Sequence, residues 1–238
     1  MPPRVTVVVP ALNEERWIPA TLKSIRAQRF KDYELIVVDN GSSDRTPEIA
    51  HEFADRVIHE GKRGAVYAMH RGFTEAAGEL VVTADADTLY PPGWLGRMVR
   101  TLSRPRTVAA YGPMGFRESP PLMRALQAVG YSLLAWGSRA FRVPLAGAAN
   151  LGIRKDAYFQ VGGYPPLAHL ASPDFRLLMR LSRLGRVRFV PTMVCWTSGR
   201  RFQKGGLKSW LRALELWWDV ASGRDRILAE EYWADGES

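Results

Sequence analysis

Between residues 4 and 87 the hydrophobic pattern switches back and forth between two periods. RVTVVVPALNEE is β-branched and almost continuously apolar up to Pro10, which reads as a buried strand, whereas EERWIPATLKSIRAQ spaces its apolar residues as a helix does. YELIVVDNGSSD repeats the strand pattern and ends in an acid and a turn cluster. TPEIAHEFA then opens a helix, with Thr46 as the expected N-cap and Pro47 at the first helical position. DRVIH is a short third strand, GAVYAMHRGFTEAA a helix and ELVVTADAD a fourth strand. Near-continuous apolar strands separated by helices predict an α/β fold, a mostly parallel central sheet with helices on both faces. Such sheets bind ligands at the carboxyl ends of their strands. The polar residues that follow the strands (Asn13 and Glu14, Asp39 and Asn40, Asp85 and Asp87) should therefore meet on one rim.

The second half is less regular. A short basic helix is predicted around Trp94–Leu102, TVAAYGP reads as a strand, and SPPLMRALQAVGYSLLAWGSRAF reads as a long helix of uneven amphipathicity. AGAANLGIRKDAYFQVGGY gives a strand, a short helix and a Gly-Gly stop, and SPDFRLLMRLSRLG a helix from near Ser172 that Gly185 ends. RVRFVP and MVCWTS read as strands, GRRFQKGG as a basic glycine-rich loop and LKSWLRALELWWDVA as a Trp-rich tail helix. No linker or repeat divides the 238 residues, a length that suits one α/β domain with a substantial core.

Charge narrows the partners. The 33 Lys and Arg against 24 Asp and Glu give a net charge of +9, which favours an anionic partner such as a nucleotide or a phospholipid headgroup, or serves only as a solvated basic surface. The basic residues are scattered without a recognised nucleic-acid motif, so nucleic acid is not expected. The single cysteine, Cys195, excludes an intramolecular disulfide framework and a multi-cysteine zinc site, and makes a reducing, cytoplasmic setting the expectation. No charge-free run reaches the roughly 18 apolar residues of a spanning helix, and Val5–Val9 is too short for a signal peptide core.

Asp85 and Asp87 carry the strongest chemical signal. Two carboxylates at i and i+2 can address one ligand at a turn, and such a pair suits Mg²⁺ or Mn²⁺, which takes carboxylate oxygens together with substrate phosphates. An isolated Asp-x-Asp is more often turn chemistry. A phosphotransferase of the haloacid dehalogenase type, which also places Asp-x-Asp after a strand, is a rival reading.

Taken in order and spacing, VVVPALNEE, ELIVVDNGSSDRTPEIA, GKRGAVYAMHRGFTEAAGELVVTADAD, GAANLGIRKDAYFQVGGY and SPDFRLLMRL resemble the family 2 glycosyltransferases of GT-A fold, over roughly residues 4–200. The resemblance implies an inverting transfer of one sugar from a nucleoside diphosphate sugar to an acceptor hydroxyl, helped by Mn²⁺ or Mg²⁺. It implies a GT-A domain over residues 1–205, with a nucleotide-sugar-binding half to about residue 112, an acceptor and catalytic-base half over 113–205, and a helical tail over 206–238. Pro10, Ala11, Asn13 and Glu14 match the block that lines base and ribose, and Asp39 the acid that accepts a hydrogen bond from a pyrimidine ring. Uridine is therefore the first expectation and guanosine the second. Lys62 and Gly64 fall beside the nucleotide, and Arg71 on the helix that follows. Asp85, Ala86 and Asp87 match the metal and nucleotide segment, Asp87 as the direct metal ligand and Asp85 as a ribose or water-mediated partner. Asp174 matches the general base, and Arg200 and Arg201 are placed to stabilise the departing diphosphate. Pro173 stands where the family commonly has Glu, and His70 where it often has Asn. The Gln-x-x-Arg-Trp acceptor motif of processive synthases is missing, which favours a single-sugar transferase.

Leu122–Phe141 mixes large apolar residues with Arg124 and Arg139, and the tail sets Trp210, Trp217, Trp218 and Trp233 among Arg and Lys. Such helices suit a headgroup boundary, which points to a peripheral enzyme at the inner face of a membrane acting on a lipid-linked acceptor. Packing on the core or a homo-oligomer interface would use the same stripes. A non-catalytic nucleotide-sugar-binding protein is the remaining alternative, against which the Asp85, Asp87 and Asp174 set argues.

Overall fold

The computed structural model describes residues 1–138, 144–165, 168–169 and 172–200, with residues 215, 216, 218, 219, 221 and 222 of the C-terminal segment. Trp210, Trp217, Trp233, Arg139, Phe141 and most of the expected tail helix lie outside the described residues.

The elements follow the expected alternation: β1 (Val5–Ala11), α1 (Ile18–Arg26), β2 (Tyr33–Asp39), α2 (Thr46–His51), β3 (Arg56–His59), α3 (Ala65–Glu75), β4 (Leu80–Thr83), α4 (Trp94–Leu102) and β5 (Thr107–Tyr111). Then come β6 (Met114–Phe116), α5 (Pro121–Ser138), a 3₁₀ turn at Ala148–Asn150, β7 (Leu151–Arg154), α6 (Lys155–Gln160), α7 (Pro173–Leu181), β8 (Arg186–Phe189) and β9 (Cys195–Thr197). Seven strands form one sheet in the order β3-β2-β1-β4-β7-β5-β8. Every pairing in it is parallel except those of β7, which runs antiparallel between β4 and β5.

Strand alternation divides the core into two layers. Val5, Val7, Val9, Leu35 and Val37 face α1 and α4, where Leu22, Ile25, Trp94, Leu95 and Met98 pack on them. Val8, Ile36, Val38 and Val81 face the other way, against Phe73 of α3, Tyr158 of α6 and Leu177 of α7. Burying each such aliphatic side chain contributes about 1.5–3 kcal/mol relative to exposure. The register pairs Ala11 with Asp39, so β1 and β2 end level and deliver their following loops to the same rim.

Three expectations need correction. Thr46 is not the N-cap of α2: Arg45 holds that position, and the Thr46 hydroxyl instead donates to Asp44 Oδ1 (2.5 Å) and accepts from the Glu14 N–H (2.7 Å). Helix α1 begins at Ile18 rather than near Glu14: a turn precedes it, with the Trp17 and Ile18 N–H groups both on the Glu14 carbonyl (2.9 Å each), while the Glu14 and Glu15 N–H groups bond to Thr46 and Asp44 across the rim. The strand read in MVCWTS leaves the main sheet: β9 pairs with β6 in a separate two-stranded annex. Leu89, just beyond the two aspartates, exchanges both backbone hydrogen bonds with Trp196 of β9 (2.9 and 3.0 Å) and ties the annex to the β4–α4 loop.

Asn150 is the buried polar joint between annex and sheet. Its Nδ2 donates to the carbonyls of Pro113 (3.0 Å) and Met193 (2.6 Å), and its Oδ1 accepts from Trp94 Nε1 (2.8 Å).

Two helical glycines give a paired test of this packing. A Cβ at Gly72 of α3 would meet Val8 Cγ1 at 2.2 Å, whereas one at Gly130 of α5 would meet nothing within 4 Å. Gly72→Ala should destabilise by about 1–3 kcal/mol in urea unfolding through overpacking. Gly130→Ala should stabilise by up to about 1 kcal/mol through helix propensity.

Candidate active site

The rim at the ends of β1 and β2 is built by short-range polar turns. Asp39, at the end of β2, is buried, and its carboxylate accepts from the Gly41 and Ser42 N–H groups (3.2 Å each), with His59 Nδ1 at 3.4 Å. Asn13 adopts left-handed backbone (φ 53°), a conformation asparagine tolerates. Its Oδ1 accepts from the Ser43 N–H (2.8 Å), locking the β1 and β2 loops together. Ala11 is buried beside half-buried Pro10, and its carbonyl accepts from the Asn40 N–H at 2.9 Å. Asn40 reaches the next loop, donating to the carbonyls of Glu60 (3.0 Å) and Lys62 (2.8 Å) and accepting from the Gly64 N–H (2.7 Å). Gly64 has φ 128°, which only glycine adopts without strain. The Lys62 ammonium sits over the Tyr67 ring, 4.0 Å from its centroid. Arg71 is not brought to this rim: it lies two turns down α3 and pairs with Glu75 at 3.0 Å.

The two aspartates close the rim. The Asp85 N–H donates to the Tyr90 hydroxyl, which itself donates to the Ala149 carbonyl, both at 2.9 Å, and the carbonyl of buried Ala86 accepts from Thr21 Oγ1 at 2.8 Å. Asp87 Oδ1 accepts from the hydroxyl of Thr197 on β9 (3.3 Å), a contact the annex makes possible. Arg200 Nη1 donates to Glu14 Oε2 at 2.9 Å, Nη2 donates to Glu14 Oε1, and Nη2 lies 3.3 Å from Asp87 Oδ2. One guanidinium thus bridges the loop after β1 and the loop after β4. Burial pushes the Glu14 carboxyl above the usual range; the Arg200 bond offsets part of this and the Asp87 charge adds to it. Burial also opposes the Arg200 charge, but Glu14, Asp87 and Asp85 outweigh it and raise that pKa. Arg117, absent from the sequence reading, stands 5.0 Å from the Trp17 ring centroid and donates to the Asp87 carbonyl at 3.4 Å. Arg201 lies outside the described residues.

Asp174 stands in the first turn of α7, behind Ser172 in left-handed backbone (φ 54°). The Tyr164 hydroxyl donates to its Oδ1 at 2.6 Å. Burial pushes the Asp174 carboxyl above the ordinary value of 3.8, and the bonds from Tyr164 and the Ala148 N–H hold part of that rise back. Tyr164 is in turn held by Tyr158, whose hydroxyl accepts the Tyr164 N–H (3.1 Å) and meets His70 Nδ1 at 2.9 Å. Burial lowers the His70 pKa, which favours the neutral imidazole, whose unprotonated nitrogen accepts a hydrogen bond from a hydroxyl such as that of Tyr158. The Tyr90 hydroxyl that receives the Asp85 N–H bonds to the carbonyl of Ala149, next in sequence to Ala148, whose N–H bonds to Asp174, so the two carboxylates share one neighbourhood. The sequence offered one signal for Tyr164, the aromatic residue directly after the Gly-Gly stop. A Cβ at Gly163 would strike the Tyr158 ring at 2.7 Å, so the stop also makes room for that ring.

Among the described residues no group of three His, Cys, Asp or Glu side chains could hold a metal ion by itself. Asp87, whose Oδ2 already meets a guanidinium at 3.3 Å, and Asp85 two residues before it have the donor chemistry that fits a divalent cation completing its shell with phosphate oxygens.

A mixed sheet with its acids gathered at the carboxyl ends and a small annex closing over them is the architecture of GT-A glycosyltransferases. Solved structures share it. A mannosyltransferase from Pyrobaculum calidifontis in complex with GDP-Man and Mn²⁺ superposes with a TM-score of 0.66 at 22% identity, over 90% of this chain and 65% of that one. Glucosyl-3-phosphoglycerate synthase from Mycobacterium tuberculosis, in complex with Mn²⁺, UDP-Glc and phosphoglyceric acid, superposes with a TM-score of 0.63 at 21% identity, over 92% and 80%. Residues 6–162 match glycosyl transferase family 2. An uncharacterized glycosyltransferase of Mycobacterium bovis is 30% identical over 92% of this chain and 98% of its own length. The undecaprenyl-phosphate 4-deoxy-4-formamido-L-arabinose transferase of Photorhabdus laumondii is 36% identical over 41% of this chain and 33% of its own length. The chain belongs to glycosyl transferase family 2, a membership that sets aside the phosphotransferase reading.

A carboxyl whose pKa is raised by the fold is a stronger base, and its ionisation costs stability as pH rises through the folded value. Asp174→Asn should therefore leave thermal stability at neutral pH equal or higher while sugar transfer falls about 10²–10⁴-fold. Tyr164→Phe removes a bond that lowers the Asp174 pKa, so the acid limb of the pH–rate profile should move to higher pH; an unmoved limb would mean that Asp174 does not set it.

Proposed function

We propose that the chain transfers a single sugar, with inversion, from a nucleoside diphosphate sugar to the hydroxyl of a lipid-linked acceptor, with Mn²⁺ or Mg²⁺ at Asp87 and Asp85. The observation that carries this reading is the meeting of Asp87, Glu14 and Arg200 at the rim, with a proton acceptor of raised pKa, Asp174, in the same neighbourhood. A UDP-sugar is the first choice of donor and a GDP-sugar the second, since the similar solved structures carry both classes. Buried Asp39, already aligned by two N–H donors, is the acceptor for a pyrimidine ring N–H.

Asp174 takes the acceptor proton as the acceptor oxygen bonds to the anomeric carbon from the face opposite the diphosphate. The bond from that carbon to the phosphate oxygen breaks, and its electron pair leaves with the nucleoside diphosphate. Held by Asp87 and Asp85, a divalent metal would supply positive charge for the leaving group. Arg200 and Arg117, both beside Asp87, serve the same charge.

Support for a lipid-linked acceptor comes from α5. Its Gln127 and Tyr131 face inward, Gln127 accepting from the Phe116 N–H at 2.9 Å and Tyr131 donating to the Leu145 carbonyl at 2.7 Å. Leu122, Leu126, Val129, Leu133 and Trp136 line the outer face, with Leu122 75% and Trp136 72% exposed. The helix carries a single charge, Arg124, and that guanidinium is turned to the carbonyls of Ser119 and Arg117. A charge-free apolar face backing onto the acceptor side fits a bilayer interface. No helix among the described residues is long and apolar enough to cross a membrane.

In a thermal-shift screen, UDP or GDP with Mn²⁺ should raise the melting temperature, and Asp87→Ala should abolish the metal-dependent part. Leu133→Glu with Trp136→Glu should abolish flotation with lipid vesicles while leaving the nucleotide shift intact. A change from dimer to monomer on that substitution, without any flotation by the parent, would assign the face to a second copy.

A further inference from the structure

A second concentration of charge lies away from the rim, along α4. Arg97 and Arg100 stand one turn apart on its outer face, and Arg104 follows just beyond its end. A cavity of about 650 Å³ opens beside them, walled by Arg4, Arg29, Arg97 and Arg100. On the other flank of the helix a cavity of about 390 Å³ shares Arg97 and Arg100 and adds Arg104. No acidic residue lines either one. Arg4 is met by Glu79 at 3.7 Å, but among the described residues Arg29, Arg97, Arg100 and Arg104 have no ion pair.

The arrangement differs from a solvated basic face in where the guanidinium groups lie. A Cβ at Gly93 would stand 2.9 Å from Arg97 Nη1, and one at Gly96 would stand 3.8 Å from Arg100 Nη1 and 3.9 Å from Phe30 Cβ. Each guanidinium lies against a glycine that lines the cavity, so both heads border its floor. Phe30, Pro92 and Val99 make that floor apolar. Unpaired guanidinium forks above an apolar floor fit phosphate oxygens bidentately and accept a non-polar moiety beneath them. The larger cavity falls within the roughly 300–1,000 Å³ of small-molecule sites.

We propose that this groove is a second ligand site, distinct from the donor rim, for a phosphate-bearing small molecule. Helix α4 runs from the rim towards the opposite edge of the sheet, and the groove reaches Arg4, which precedes β1 and donates from Nη2 to Ser103 Oγ at 2.8 Å. The groove belongs to the layer of α1 and α4, whereas α5 sends Ala135 into the other layer. A soluble phosphate is therefore favoured over a headgroup of a bilayer touched by α5.

The test uses the full chain in EDTA, where no metal-bridged nucleotide can form, and titrates tripolyphosphate by calorimetry. Wild-type protein should bind, and Arg97→Glu with Arg100→Glu should weaken binding about tenfold or more. Should that pair fail to fold, Arg97→Gln with Arg100→Gln removes the charge at similar length and should weaken binding in the same direction. The Mn²⁺-dependent nucleotide shift should be the same in parent and variant, which separates failure of this site from failure of the transferase reading. Co-sedimentation with phosphatidylglycerol vesicles separates the sources: a variant that loses only tripolyphosphate marks a soluble ligand, and one that loses both marks a headgroup. Equal tripolyphosphate affinity in parent and variant, or its complete displacement by UDP, would overturn the proposal.

Discussion

Negative charge gathered at one edge of a parallel sheet must be met by positive charge, and Arg200 meets it. Its guanidinium lies between Glu14 and Asp87, residues that follow different strands and stand far apart in the chain. Without a cation there, Asp85, Asp87 and Glu14 would repel one another across a partly desolvated gap, where charges interact more strongly than in water. The segment that supplies the arginine directly follows β9, the strand held against the aspartate loop through Leu89 and Trp196. The annex therefore puts a positive charge within reach of the place where the proposed metal and diphosphate would come together.

The proposed base depends on a different kind of support. Asp174 is tuned upward by burial, and its orientation is set by a line of aromatic and imidazole groups, from His70 on α3 through Tyr158 on α6 to Tyr164. Phe73 stacks on Tyr158 with ring centroids 3.8 Å apart, so the line is also part of the hydrophobic core. Basicity and rigidity thus come from the same packing.

The first half of the fold was legible because period and punctuation agree: continuous apolar strands, Pro10, Pro47, and the acids that close β2 and β4. The rim residues were legible for the same reason, since a parallel sheet sends every strand end to one edge. What the pattern could not reveal depends on long-range partners. Thr46 looks like a cap in its own segment, and only the return of the β1 loop makes it a partner of Glu14. Cys195–Thr197 has the composition of any strand, and nothing local says that it pairs with Met114–Phe116 instead of the main sheet. Arg117 carries no motif of its own, the Gly-Gly-Tyr ending of its block marks Tyr164 without saying what its hydroxyl meets, and Arg71 reads as basic on a useful helix although helical phase pairs it with Glu75.

Asn150 carries one further consequence. Its amide holds carbonyls from both ends of the annex connection and a tryptophan of the main domain, all inside the protein. Among the described residues the annex holds a two-stranded sheet, too little to stand alone. Local opening starts in the least-supported part of a fold, and a two-stranded annex is less supported than a seven-stranded sheet. As temperature rises, opening should begin at that joint, separating Arg200 and Thr197 from the aspartates while the seven-stranded sheet persists, so the molecule would lose its working edge before it loses its shape.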